Sequence, residues 1–487
     1  MNAQTQAPDA CSCPHGQQVT NLHDTGLLTP VRVGAPIEDV VSDRAWLQAM
    51  LETEAALARA QARLGTVPAF AAEAISATVR AHTFDLRGLA RRARAAANPV
   101  VPLVEELAAA VRDRDPDAAR FVHLGSTSQD ILDTAAMLVA VRGITLIVQH
   151  LDQAAEALAA LASRHREDAM AGRTLTQHAT PTTFGLKAAG WLMGLLDARD
   201  RLEELLGTRL PVQLGGAAGT MAAYLQAHDV PPPQASTYTT ELTRAFATEL
   251  GLAEPVLPWH TRRSPMADLA HGLNVTVGAL GKIALDVLSL ARTEVAEIAE
   301  PAGHGNGASS AMPQKQNPAL ATLIRTAALQ VPPLTLTLVQ SMASEDERPA
   351  GAWHAEWMPL RESLRLVGGA ASTAADLCSG MMVDAARMRA NLASTGALIV
   401  SERLSAVLGR RLPGRSAKSV VAQACRDAQA SGRPLPAVLL EIPGISDVLS
   451  AGEIDDLLDP AQYLGAAKHF VDRALEHYSS RAHVARE

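Results

Sequence analysis

Aromatic residues are scarce in this chain. They make up 3% of 487 positions, with four Tyr and six Phe. Strand-rich folds fill their pleated surfaces with aromatic and β-branched side chains, so this shortage argues against them. Ala, Leu, Glu and Arg are plentiful instead, which are residues that helices tolerate well. Cysteine is also rare: Cys11, Cys13, Cys378 and Cys425 are the only four, too few for a disulfide framework and fitting for a reduced, intracellular protein. Cys11-Ser-Cys-Pro-His15 is a weak metal pattern without zinc-finger spacing, and the surrounding segment reads as a polar tail. An excess of basic charge is missing as well. The net charge is −8, and the 43 basic residues, of which only five are Lys, are scattered without runs or aromatic interleaving. This excludes a nucleic-acid partner. No signal-like apolar segment opens the chain, and the longest apolar candidate, Val275 to Leu290, is interrupted by Lys282 and Asp286. No membrane partner is therefore expected, and the expected location is the cytoplasm.

What is present is an apolar fraction of 48%, enough for a large core and incompatible with a disordered polymer. The composition predicts an all-α fold in several units. Residues 1–30 read as a flexible tail and 31–120 as an N-terminal helical domain, in which Ser42 caps a helix ended by Gly65. Residues 121–375 read as a bundle of long helices, and 376–487, where helices shorten and Pro/Gly punctuation returns, as a C-terminal domain. The clearest seam begins at Ser264-Pro265 and recurs in steps of three and four through Met266, Leu269, Leu273, Val277, Leu280, Ala284, Val287, Ala291, Val295 and Ile298. Such a helix would be roughly 50 Å long. Further long helices are predicted over Asp130–Arg166, Phe184–Leu206 and Pro318–Met342, the last with a kink at Pro332-Pro333. Helices of this length outrun a monomeric core and point to a bundle continued across subunits.

Three polar islands break the helical pattern: His123-Leu-Gly-Ser-Thr-Ser-Gln-Asp130, Gly172-Arg-Thr-Leu-Thr-Gln-His-Ala-Thr-Pro181, and Gly305-Asn-Gly-Ala-Ser-Ser-Ala-Met-Pro-Gln-Lys-Gln-Asn-Pro318. Turns and caps explain the first two taken singly. The third gathers two hydroxyls, a Lys and an Asn behind glycines and ahead of a helix start, a set of donors suited to a bound anion or to negative charge that develops in a reaction.

The third island resembles the signature loop of the fumarase/aspartase superfamily, Gly-Ser-Ser-x-Met-Pro-x-Lys-x-Asn-Pro, from Ser309 to Pro318, with Ala308 where the family usually has Gly. The first resembles its Thr-Ser substrate loop and the second its Gly-Arg-Thr-x-x-Gln region, in family order and spacing. Asn98-Pro-Val-Val-Pro-Leu103, Gln213-Leu-Gly-Gly-Ala-Ala-Gly-Thr220, Pro258-Trp-His-Thr261 and Gly351-Ala-Trp-His-Ala-Glu-Trp357 are similar to the branch of the bacterial carboxymuconate cycloisomerases.

The resemblance implies a three-domain fold, and a homotetramer around a central helical bundle with each active site shared by three subunits. The substrate would be a small dicarboxylate. No metal or organic cofactor is implied. Ser309 would be the general base, with Lys315 and Asn317 holding the carboxylate as it becomes a doubly charged enediolate. Thr127 and Ser128 would bind a substrate carboxylate. Thr174, Gln177, Asn98, Ser310, Met312 and Arg263 would complete the binding set, and the third island would act as a mobile flap over the substrate.

The departures from the family pattern narrow the reaction. Where relatives that expel hydroxide or amines carry an acid pair of His and Glu, this chain has Leu175 and Thr322. A strongly basic leaving group needs a proton as it departs, whereas a stable anion does not. His123, His178, His260 and His354 stand open as replacement acids. Arg348, Pro349, Gly351, Trp353 and Trp357 lie where adenylosuccinate lyases hold a phosphate, and two Trp there disfavour a phosphate-bearing substrate. Gln314, Gln316 and Ser264-Pro265 replace residues that tend to be charged in the cycloisomerases, an argument Arg262 and Arg263 partly offset. The expected reaction is β-elimination of nitrosuccinate to fumarate and nitrite. The alternative is lactonising cycloisomerisation of 3-carboxy-cis,cis-muconate, and a non-catalytic structural role is the remote third reading.

Overall fold

The computed structural model describes residues 25–301, 307–412 and 416–484. The Cys11–His15 pattern and most of the expected tail lie outside the described residues. The architecture is all-α with two short ribbons. Five helices form the central body: α1 (Ser128–Arg164), α2 (Phe184–Glu204), α3 (Ser264–Leu290), α4 (Ala319–Gln340) and α5 (Ala352–Gly380). A hairpin of β1 (Ala169–Thr174) and β2 (Gln177–Thr183) links α1 to α2. The second ribbon pairs β3 (Ile298–Ala299) antiparallel with β4 (Met382–Val383).

Local chemistry accounts for most boundaries. Ser42 accepts the Ala45 amide and starts the helix Asp43–Arg63, as its sequence predicts. Thr127 precedes α1, and the Asp130 carboxylate takes the Thr127 amide at 3.3 Å. Helix α3 begins at Ser264 with Pro265 in its first turn but stops at Leu290, short of the expected Ile298. Ala296 adopts φ +49° and the Glu297 amide turns back to the Leu290 carbonyl. Val295 and Ile298 continue the apolar rhythm without continuing the helix; Ile298 instead joins β3 and is buried there.

The expectation that no segment is apolar enough to span a membrane does not hold by length and composition. Helices α1, α3 and α4 all qualify, each through an 18-residue window poor in charge. The sequence reading counted unbroken runs, whereas a bundle helix surrounded by neighbours is apolar nearly all round despite a few charges. In α1, 78% of that window is buried inside the protomer, against 50% in α3 and 28% in α4. The uncovered side of α4 presents Leu329, Leu336 and Val339, with Leu285 of α3 similarly exposed.

One large core joins the N-terminal helices to the bundle. A second core, from Leu392 to Leu458, also takes in Ala169 and Ala171 of β1. The last helix, Ala467–Val484, returns to the main core through Val471 and Ala474.

Candidate active site

The first island sits at the start of α1. Asn98 donates from Nδ2 to Ser128 Oγ at 2.8 Å, and Arg348 donates from Nη2 to Thr127 Oγ1 at 2.9 Å and from Nε to Gln129 Oε1 at 3.0 Å. The structure therefore brings together Asn98, Thr127 and Ser128, all expected, and adds Arg348. Arg348, singled out above only for its place where adenylosuccinate lyases hold a phosphate, lies more than 200 residues from these partners.

Asp130 is the hub beneath this cradle. Its fully buried carboxylate accepts the Gly215 and Gly216 amides, each at 2.9 Å, the Tyr224 hydroxyl at 3.1 Å and His260 Nε2 at 2.9 Å. Backbone amides and a carboxylate make strong charge-assisted bonds, so one anion fastens the Gln213–Thr220 and Pro258–Thr261 segments to α1. Gly125 and Gly215 fit because a Cβ at either would meet Tyr224 or His260 at 2.8 Å.

His123 lies at the island's entrance in a left-handed turn, φ +57°. Its Nδ1 is 2.6 Å from Oε1 of the buried Glu54. Burial pulls its pKa down, but the neighbouring Glu54 carboxylate outweighs that and holds the imidazole above its ordinary value. His260 is buried against Asp130. His354 packs edge-on to Trp353 and beside Trp357. His178, on the hairpin, is pushed below its ordinary pKa by burial and by Arg173.

Arg263 is placed differently from the expectation. It is 1% exposed and committed inside the protein. Its guanidinium forks onto Asp133 at 2.6 and 3.1 Å and onto Glu356, and it lies 4.7 Å over the Trp259 ring. Trp353 Nε1 completes Asp133 at 2.9 Å. Arg263 thus ties the start of α3 to α1 and α5, with no donor left for a ligand. Burial pushes the Glu356 carboxyl up to about 7 against the pull of Arg263.

The second island forms the tip of the β1–β2 hairpin. Thr174 and Gln177 are exposed on either side of a two-residue turn. Leu175 has φ +47° and Thr176 φ +70°, a conformation that costs an L-residue about 1–2 kcal/mol each. Just below the tip Arg173 grips the fully buried Glu297 at 2.6 and 2.9 Å.

Glu297 leads through β3 to the flap. Glu300 clasps the flap's far foot, its two carboxylate oxygens accepting the Leu320 and Ala321 amides at 2.9 and 2.7 Å. This satisfies the start of α4. Above the clasp, the Asn317 amide bonds to the Gly307 carbonyl at 2.9 Å and Ala308 bridges Gln316. Gly307, at φ +69°, has no room for a Cβ, which would lie 2.3 Å from the Asn317 carbonyl oxygen. Ser309 Oγ accepts the Met312 amide at 3.2 Å. Ser310, Met312 and Lys315 are exposed around it. Lys315 and Asn317 also line a cavity of about 900 Å³ with Arg292, Glu300 and Asp384. Among the described residues, no three His, Cys, Asp or Glu side chains gather to hold a metal.

The first island does not meet the other two within one protomer. Helices α1 and α5 run in parallel: Trp353 at the start of α5 meets Asp133 at the start of α1, and Leu364 further along packs at Gly143. The first island is at their starts. The hairpin follows the end of α1, and β4, paired to the strand that enters the flap, follows the end of α5. The 29 residues of α5 put roughly 40 Å between the two ends.

Known proteins resemble this chain over most of its length. The profile described as Lyase matches residues 35–332, and that described as Adenylosuccinate lyase C-terminus matches 397–474. The chain is 56% identical to the nitrosuccinate lyase of Streptomyces davaonensis over 452 residues, covering 93% of this chain and 94% of that protein. It is 46% identical to the 3-carboxy-cis,cis-muconate cycloisomerase of Pseudomonas aeruginosa, covering 92% and 95%. The crystal structure of the 3-carboxy-cis,cis-muconate lactonizing enzyme from Pseudomonas putida superposes with a TM-score of 0.85 at 40% identity, covering 93% of this chain and 99% of that one. Sequence and fold agree over nearly the full length, and the chain belongs to the lyase family, within the fumarase/aspartase superfamily.

Proposed function

We propose that this lyase eliminates nitrite from nitrosuccinate, leaving fumarate, and that it works as a homotetramer whose sites each combine the first island of one protomer, the hairpin tip of a second and the flap of a third. The observation that carries the chemistry is the bond from the Met312 amide to Ser309 Oγ. A serine hydroxyl is a poor base, and its alkoxide needs donors before the reaction begins. Here a backbone N–H already points at the oxygen, in a turn that also presents Lys315. Ser309 removes the proton beside a carboxylate. Lys315 and Asn317 receive the charge as the carboxylate becomes an enediolate, and its collapse expels nitrite. Thr127, Ser128, Asn98 and Arg348 hold the other carboxylate.

The leaving group follows from what the site withholds. Leu175 cannot donate a proton, and the Thr322 hydroxyl is spent on the Pro318 carbonyl at 2.7 Å. A departing nitrite needs no such donor. The 56% identity to a nitrosuccinate lyase supports the same substrate. The assembly is supported by the distance between the islands and by the uncovered apolar side of α4. The proposed compartment is the cytoplasm; Cys378 and Cys425 carry free thiols.

Incubating the purified protein separately with nitrosuccinate and with 3-carboxy-cis,cis-muconate tests the substrate. Nitrite and fumarate formation from the first is the expected result; consumption of the muconate alone transfers the chain to the cycloisomerases. Ser309→Ala should fold and assemble as the parent does, while turnover drops by several orders of magnitude. Unchanged turnover removes Ser309 from the base role.

A further inference from the structure

The turn at the hairpin tip is built against local preference. Leu175 and Thr176 are the only consecutive non-glycine pair with left-handed backbone among the described residues, at positions where Asn or Gly would sit without strain. The Leu175 side chain is also 97% exposed. Neither backbone conformation nor solvation favours leucine there, so its use must come from what the tip meets.

We propose that Leu175 is a specificity residue: an apolar wall on the leaving-group side of the assembled site that admits an uncharged nitro group and turns away hydroxyl and ammonium substituents. This inference rests on the reading of the reaction given above. A nitro group has no net charge and accepts hydrogen bonds weakly, so it loses little hydration against hydrocarbon. A hydroxyl or ammonium left without a partner there loses much more. Thr322 cannot donate in leucine's place, because its hydroxyl proton is already given to the Pro318 carbonyl. The effect belongs to binding. Departing nitrite is an anion that leucine cannot stabilise, so the wall sets which dicarboxylate enters and leaves the speed of C–N cleavage to the donors.

Calorimetric titration of the purified protein with fumarate, L-malate and L-aspartate tests this without turnover. Fumarate lacks a leaving group and serves as the internal reference. In Leu175→Asn, the affinity for malate relative to fumarate should rise about tenfold, within the range one hydroxyl contact commands. The thermal midpoint should hold or increase, because Asn tolerates the left-handed turn. Leu175→Ala, which shortens the wall without adding a polar group, should shift the ratio the same way by a smaller factor. A ratio within twofold of the parent in both variants, or a parent protein that takes malate as tightly as fumarate, overturns the proposal. Failure of the parent to release nitrite would overturn the reaction instead, and the binding ratios would still decide the wall.

Discussion

Removing Arg263 separates two accounts of that residue. The family pattern suggests a substrate ligand, whereas the structure shows a buried cation shared by Asp133 and Glu356. In Arg263→Met the aliphatic volume is largely kept, but four charge-assisted bonds vanish and two carboxylates are left in a dry interior. Breaking a buried pair in this way costs about 3–5 kcal/mol, well beyond an average point substitution. The loss should depend on pH. Glu356 is already pushed up to about 7 by burial, and without the guanidinium it holds its proton to still higher pH. A carboxyl with a raised folded pKa binds more protons folded than unfolded, so stability falls as pH rises from about 4.5, the unfolded value, through the folded one. The variant should therefore be closest to the parent near pH 5 and weakest near pH 8. Denaturant titrations at both pH values and one protein concentration measure this. Arg263→Lys should fall between, since one ammonium cannot reproduce the fork. A variant as stable as the parent at both pH values but with a raised KM would refute the reasoning and return Arg263 to the substrate.

Other substitutions probe the remaining parts. Arg348→Met should raise KM by roughly 10–100-fold, the worth of one or two hydrogen bonds from a charged donor, with little change in thermal midpoint; steady-state kinetics on the folded variant checks it. Leu336→Asp places a charge on the uncovered side of α4 and should convert the assembly to smaller species with loss of activity, read by light scattering and turnover together. His123, with its folded pKa raised by Glu54, contributes stability that is complete below about pH 6.5 and is lost as pH rises through the higher folded value. Glu54→Gln should remove this component, and denaturant titrations across pH 5.5–8.5 would show it.

Much of the bundle was legible because helix seams are local. The starts at Asp43 and Ser264 and the span of α1 follow from caps, proline and apolar spacing. The overrun of α3 shows the limit of that reasoning: Ile298 is buried and Val295 half-buried for other reasons, and nothing nearby announces the turn at Ala296. The flap residues were legible as a run of donors, and Asn98 and Ser128 do pair. Arg348 and Glu54 were not, since each reaches its partner across a large sequence separation. The surroundings of Arg263 were not legible either, because they depend on two carboxylates, 93 and 130 residues away, folding around it.

The parallel course of α1 and α5 has a consequence for how such an enzyme is regulated and handled. On the shared site proposed above, a perfectly folded single chain would own every needed group and still be inert, since its serine and its hydroxyl cradle face opposite poles. Catalytic competence then becomes a function of concentration, and dilution alone should silence the protein reversibly before any helix unravels.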